Sequence, residues 1–272
     1  MILELPDGFD VAADCIHMRI VQERRDQRPP SQDLIAAGRI VIEACEFNRP
    51  SNHEVHAVEE IIEACLESSR TIPTVELVLD RLRTARSNYS LGFTEENRIL
   101  GALLVAQPLA VLNSVFAPGR LDAQTGKRGM FDHDYLVGSP LDRVSEATLL
   151  LWCEEDSNVR YPLIASKLVP FARNPQTDTP AWKSSALALL ERAPNKIEVL
   201  GHYIRHFQPS SWSGSQSTIW EKNVRLLDQF ENHPDSDLAA FAKEQQMEHK
   251  KSLNGLKAQE LASERRDNER FE

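Results

Sequence analysis

Apolar residues recur at helical spacing through most of the chain, and alternating runs bounded by hairpin turns are hard to find, so the pattern predicts an all-α protein. Residues 1–32 are weakly patterned and read as an N-terminal arm or entry segment, with Arg24-Arg25-Asp26-Gln27-Arg28-Pro29-Pro30 as a linker-like stretch. Asp33 is placed to cap a helix burying Leu34, Ile35, Ile40, Val41 and Ile42, which Phe47-Asn48-Arg49-Pro50 stops. Ser51 with Glu54 three residues on predicts a capping box for a second helix, carrying Val55, Val58, Ile61, Ile62, Cys65 and Leu66 on one face. Its partner opens at Thr71-Ile72-Pro73 and carries Val75, Val78, Leu79 and Leu82. A third unit starts at Thr94-Glu95-Glu96, breaks at Gln107-Pro108 and resumes through Val111, Leu112, Val115 and Phe116.

Residues 33–116 are thus read as N-terminal helical repeats. A long loop, 117–139, follows and holds Gly119, Gly126, Gly129 and Gly138, four of the eleven glycines, which makes it the least regular part of the chain. Ser139-Pro140 then opens residues 140–272, read as C-terminal helical repeats and a capping helix. Here the sequence repeats itself. Leu149 to Asp156 leads into Leu163 to Phe171; about 38 positions on, Leu187 to Pro194 leads into Val199 to Pro209; about 40 further, Leu226 to Pro234 leads into Leu238 to Ala242. Ile61 to Ser69 leading into Val75 to Leu82 matches the same scheme. Two helices per period near 40 residues predict a HEAT-like α-solenoid, in which each hairpin buries its second apolar face on a neighbour and the terminal unit needs a polar outer face. After Phe241 the sequence is almost wholly polar, with acidic and basic residues interleaved, as a solvated capping helix requires; a coiled-coil tail lacks its apolar seam beyond Leu253, Leu256 and Leu261.

Composition narrows the class. Lys+Arg 31 against Asp+Glu 41 gives a formal charge of −10, which disfavours acidic partners and a protein that coats nucleic acid along its length. Cys15, Cys45, Cys65 and Cys153 form no CxxC and no disulfide framework, so a reducing cytoplasm is the expected compartment. The first ten residues lack the basic and apolar regions of a signal peptide, and no uncharged run approaches membrane-spanning length; the expectation is a protein neither exported nor membrane-bound.

Ser210-Ser211-Trp212-Ser213-Gly214-Ser215, Leu226-Leu227, Asn232-His233-Pro234, Phe241-Ala242-Lys243-Glu244 and Arg270-Phe271-Glu272 carry a resemblance, together with Glu191-Arg192-Ala193-Pro194, Arg160-Tyr161-Pro162-Leu163 and Gln107-Pro108. Over roughly residues 93–272 the chain resembles the C-terminal helical region of large bacterial multidomain proteins, some with STAND-like NTPase domains upstream, that are suspected of antiphage or conflict defence. The resemblance implies a sensing, scaffolding or regulatory part. It brings no ATPase activity, because no GxxxxGK[ST] loop is present.

Several constellations bear on chemistry. Asp132-His133-Asp134, in the glycine-rich loop, is the densest polar cluster: two carboxylates around an imidazole suit a divalent metal or acid/base catalysis, against loop capping as the plainer reading. His202 and His206 stand at i and i+4, and His53 and His56 at i and i+3, but no glutamate completes an HExxH and packing or surface capping is favoured. Cys153 beside Trp152 reads as a buried small hydrophobe, as do Cys45 and Cys65. Arg24, Arg25 and Arg28 could touch phosphate or an acidic partner, with a solvated arm favoured. Trp212 is either an exposed recognition aromatic or an anchor for the loop between repeats, the anchor being favoured. The reading that results is a non-enzymatic α-solenoid binding another protein or an effector domain, with no cofactor, metal or membrane called for. A metal-dependent or hydrolytic enzyme centred on 117–139, and a nucleic-acid binder using the N-terminal arginines, are the alternatives.

Overall fold

The computed structural model describes residues 8–48, 50–120, 123, 130–131 and 138–270, and these form twelve α-helices and one two-stranded hairpin. No described helix is long and apolar enough to cross a membrane. The chain forms two compact units, Met1–Trp152 and Cys153–Glu272, the division falling inside helix α7 (Glu146–Glu154).

In the first unit, α1 (Gly8–Arg25), α2 (Gln32–Ala44), α3 (Asn52–Cys65), α4 (Ile72–Ser87), α5 (Phe93–Ala106) and α6 (Pro108–Val115) follow one another through short turns. Helix α3 packs on α1, α2 and α5, while α4 packs on α2, α5 and α6. The entry segment is therefore more regular than its pattern predicts: from Gly8 to Arg25 it is helical and buries Ala13, His17, Ile20 and Glu23. Its apolar residues lie on both faces, which hides the helical period, and two of its buried positions are polar. Glu23 is held there by accepting from the Ser31 backbone N–H at 3.0 Å. Ser31, not Asp33, is the N-cap of α2, its hydroxyl accepting from Leu34 N. Ser51 and Glu54 form the expected capping box of α3.

The helices approach closely where the sequence lets them. A Cβ at Gly38 of α2 would lie 2.5 Å from Cys65 Sγ and 3.0 Å from Ile61 Cγ2, so glycine is what allows α2 to lie on α3. Arg81 of α4 donates to Glu43 O and Cys45 O, both at 2.6 Å, closing the end of α2 before the chain turns at buried Phe47 (φ 52°). The break at Gln107 has a use beyond ending α5: its amide donates to Leu66 O and Glu67 O at 2.8 and 2.6 Å, covering carbonyls at the end of α3. Ser139-Pro140 opens only a 3-10 turn, Pro140–Arg143, before α7 begins. Arg143 passes over Gly101 of α5 to reach Glu59 and Glu63 of α3, and a Cβ at 101 would meet its Cδ at 2.8 Å. Phe116 stacks on Phe131 at 5.0 Å and lies 5.5 Å from Trp152, whose indole donates to Asn113 Oδ1 at 2.7 Å.

The second unit continues with α8 (Ser157–Ala165), α9 (Ser184–Arg192), α10 (Lys196–Ile204), α11 (Gln216–Val224), a 3-10 stretch Arg225–Phe230 and α12 (Ser236–Arg270). Helix α10 packs on α8, α9 and α12. Between α8 and α9 the chain makes an antiparallel hairpin, β1 (Phe171–Arg173) and β2 (Pro180–Trp182), which departs from a purely helical expectation. Its register sets Phe171 opposite Trp182, and both rings enter a cluster with Tyr203, Phe207 and Phe230, Trp182 lying 5.5–6.5 Å from each. The Trp182 indole donates to Leu226 O at 3.0 Å, and Tyr203 Oη donates to Ala186 O at 3.1 Å. Helix α12 buries Leu238, Ala242, Gln246 and Leu253 on one seam, and Glu260 still reaches Ser217 Oγ at 2.6 Å; solvation begins only beyond that point, later than the polar sequence implies.

Gly38→Val forces side-chain atoms into the α2–α3 contact and is expected to lower stability by about 1–3 kcal/mol, as overpacking a close-fitted core does. Urea unfolding followed by circular dichroism measures it; an unchanged midpoint would contradict the close approach.

Candidate functional site

The residues singled out from sequence fall in different places. Asp132, His133 and Asp134 lie outside the described residues, as do Gly126 and Gly129 of the same loop; Gly119 and Gly138 take positive φ, 84° and 78°, the left-handed conformation glycine adopts readily. Trp212 is 51% exposed and makes no ring contact with another described aromatic side chain; Trp220, eight positions on, is buried, against His249 at 5.5 Å. His202 is buried within α10, whereas His206 lies past the helix end and is half-buried. Among the described residues no three His, Cys, Asp or Glu side chains come together in a way that could hold a metal ion. Cys45, Cys65 and Cys153 are buried, and burial raises their thiols to about 11, 11 and 12, far from a reactive thiolate; Cys15 is exposed.

Of the N-terminal arginines, Arg25 is exposed, while Arg24 and Arg28 each hold an ion pair. Arg24 pairs with Glu60 of α3 at 2.7 Å, and Arg28 pairs with Asp26. Both line a cleft of about 340 Å³ with Ile20, Glu63, Ala64 and Val105. Both side chains stay largely exposed, Arg24 reaching across to α3 and Arg28 pairing within its own turn.

The seam between α1 and α3 also contains the histidines of α3. His53 Nδ1 lies 3.3 Å from Asp14 of α1, and the His56 ring stands edge-on to His17 of α1 at 5.2 Å. Burial, then the neighbouring His56, holds the His17 imidazole below its ordinary range, so it sits neutral in the interface. Arg98 of α5 donates to Glu59 at 2.8 Å and its other contact is His56 Nδ1 at 3.4 Å, which links α5 to the same stretch of α3.

Opposite this buried side, α1 exposes Val11 (53%), Cys15 and Met18 (62%), at i, i+4 and i+7, one stripe along the helix. Ile40 of α2 is 58% exposed as well. The sequence reading missed this face because it took residues 1–32 as an arm. Its signal was present, since Ala13, His17 and Ile20 mark the other face at the same period.

Comparison of the chain with protein families, with curated proteins and with solved structures finds no match.

His202 supplies a pH prediction for the second unit. Burial, then Arg205, lowers its imidazole to about 4, below the unfolded value of 6.5, and its Nδ1 has no hydrogen-bond partner. The folded state therefore binds its proton later than the unfolded chain: the stabilisation is whole above the unfolded pKa and is lost as pH falls toward the folded one, about 3 kcal/mol in all. Urea unfolding from neutral pH to about pH 4.5 should show a shallower decline for His202→Leu than for the native chain. Parallel declines would contradict the assignment.

Proposed function

We propose that the chain is a non-enzymatic protein-interaction module built as a HEAT-like α-solenoid, whose α1 face meets another protein or an effector domain. The observation that carries the reading is the exposed stripe Val11, Cys15 and Met18 on a helix whose other face is fully engaged. A helix face left to water is polar, and an apolar stripe marks a surface that something covers. Supporting the solenoid part, α3 lies between α1 and α5 while α4 lies against α2 and α6, and α10 lies between α8 and α12. That is the neighbour-on-neighbour stacking that repeats use to bury both faces of a hairpin. A role in bacterial antiphage defence, as sensor or scaffold, is part of the proposal and is supported by the sequence resemblance alone. The enzyme alternative rests on Asp132, His133 and Asp134, which lie outside the described residues; the nucleic-acid alternative is weakened by the ion pairs that occupy Arg24 and Arg28.

The test is affinity capture of the tagged full chain from its native cell, with and without phage challenge, beside a Val11→Glu, Met18→Glu variant. The native chain should retain one protein at near-equal stoichiometry, and the variant should lose at least about 90% of it, a tenfold weakening, with unchanged helix content. A chain returning alone, or a partner indifferent to the substitutions, would overturn the reading.

A further inference from the structure

Helices α1, α3 and α5 run in one direction. Asp14, His17 and Arg24 of α1 meet His53, His56 and Glu60 of α3 in ascending order, and Arg98 and Val105 of α5 follow α3 in the same sense. Their C-terminal ends consequently come together, around the cleft of about 340 Å³. Helix C-termini carry partial negative charge, and it falls off within the last turn, so what matters is the chemistry immediately at that edge.

The cleft's own charges leave a definite remainder. Arg24 is neutralised by Glu60, Arg28 by Asp26, and Glu63 by Arg143. Glu67, exposed just past the end of α3, has no ion pair among the described residues. Each arginine's charge is already balanced by its carboxylate, so an incoming anion meets no surplus positive charge from them. A cation meets an unpaired carboxylate, Glu67, while the Leu66 and Glu67 carbonyls beside it are already taken by the Gln107 amide. Between these groups the wall is apolar: Ile20, Ala64 and Ala106, with Val105 44% exposed. A long aliphatic stem ending in a positive charge fits both features, because lysine and arginine lay their methylenes on apolar surface and keep the charged head at a polar rim.

We propose that this cleft receives a basic side chain, lysine or arginine, presented by the partner protein. The inference rests on reading the chain as an interaction module and names the chemistry of one contact. The net charge of −10 favours approach of such a partner over an acidic one.

The experiment uses the full chain and two capped, fluorescein-labelled octapeptides of alternating leucine with lysine or with glutamate, read by fluorescence anisotropy at physiological ionic strength. The lysine peptide should bind and the glutamate peptide should not. Glu67→Lys should weaken the lysine peptide by about fivefold, near the upper end for a partly exposed ion pair. Glu244→Lys, on an exposed position of α12, changes the net charge equally and should alter binding less than about twofold. Val105→Ser should weaken binding without altering the charge. Equal losses in the two lysine variants would mean diffuse attraction and would overturn the proposal, as would binding of the glutamate peptide or no binding of either. If Glu67→Lys leaves cellular partner capture intact, the cleft contact is wrong while the α1 reading stands; loss of the partner in the α1 variant tests that reading separately.

Discussion

Helix α3 has to bury two apolar surfaces at once. Val55, Ala57, Val58, Ile61, Ile62 and Cys65 are all at most 1% exposed, a span too wide for one neighbour to cover. At roughly 25 cal/mol per Å² of apolar area removed from water, leaving either side open would cost several kcal/mol, comparable with the net stability of a domain. The rest of the first unit follows from this demand. Helix α2 comes close through Gly38, α1 and α5 flank α3, and Gln107 and Arg143 reach back to its end and its flank.

The polar groups in these seams are arranged to keep the stack from sliding. Glu59 accepts from both Arg98 and Arg143, and Glu60 forms an ion pair with Arg24, so one turn of α3 is tied to three other elements. Each pair is partly exposed and adds little alone; its value lies in fixing register, since a shift of one helical turn breaks several at once. The second unit obtains its order differently, from a cluster of aromatic rings that the short hairpin delivers beside α10.

Much of this was legible because it depends on local pattern. The capping box at Ser51 and Glu54, the break at Gln107-Pro108 and the buried faces of α3 and α4 follow from spacing and cap chemistry, and the structure shows each. Helix α1 was hidden because it buries histidine and glutamate and exposes valine and methionine, inverting the cue that pattern reading uses. The hairpin was hidden for another reason: strands of three residues are too short to show alternation. Asn174-Pro175 carried a turn signal, realised as Asn174 Oδ1 accepting from Gln176 N and Thr177 N, but the rings that Trp182 packs on, Tyr203, Phe207 and Phe230, lie far along the chain. The cleft was legible only in part. Arg24 and Arg28 stood out as charges, yet their pairing with Glu60 and Asp26, which reverses the sign of what the site attracts, needs the three-dimensional arrangement.

The central claim is that another protein meets the chain on the exposed face of α1 and at the cleft by the C-terminal ends of α1, α3 and α5. Hydrogen exchange of the full chain, alone and in its captured complex, tests this most directly. The account predicts that complex formation slows exchange across residues 8–25 and around residues 64–67, with little change in α9 and α10. Protection confined to the second unit, with residues 8–25 unaffected, would contradict it.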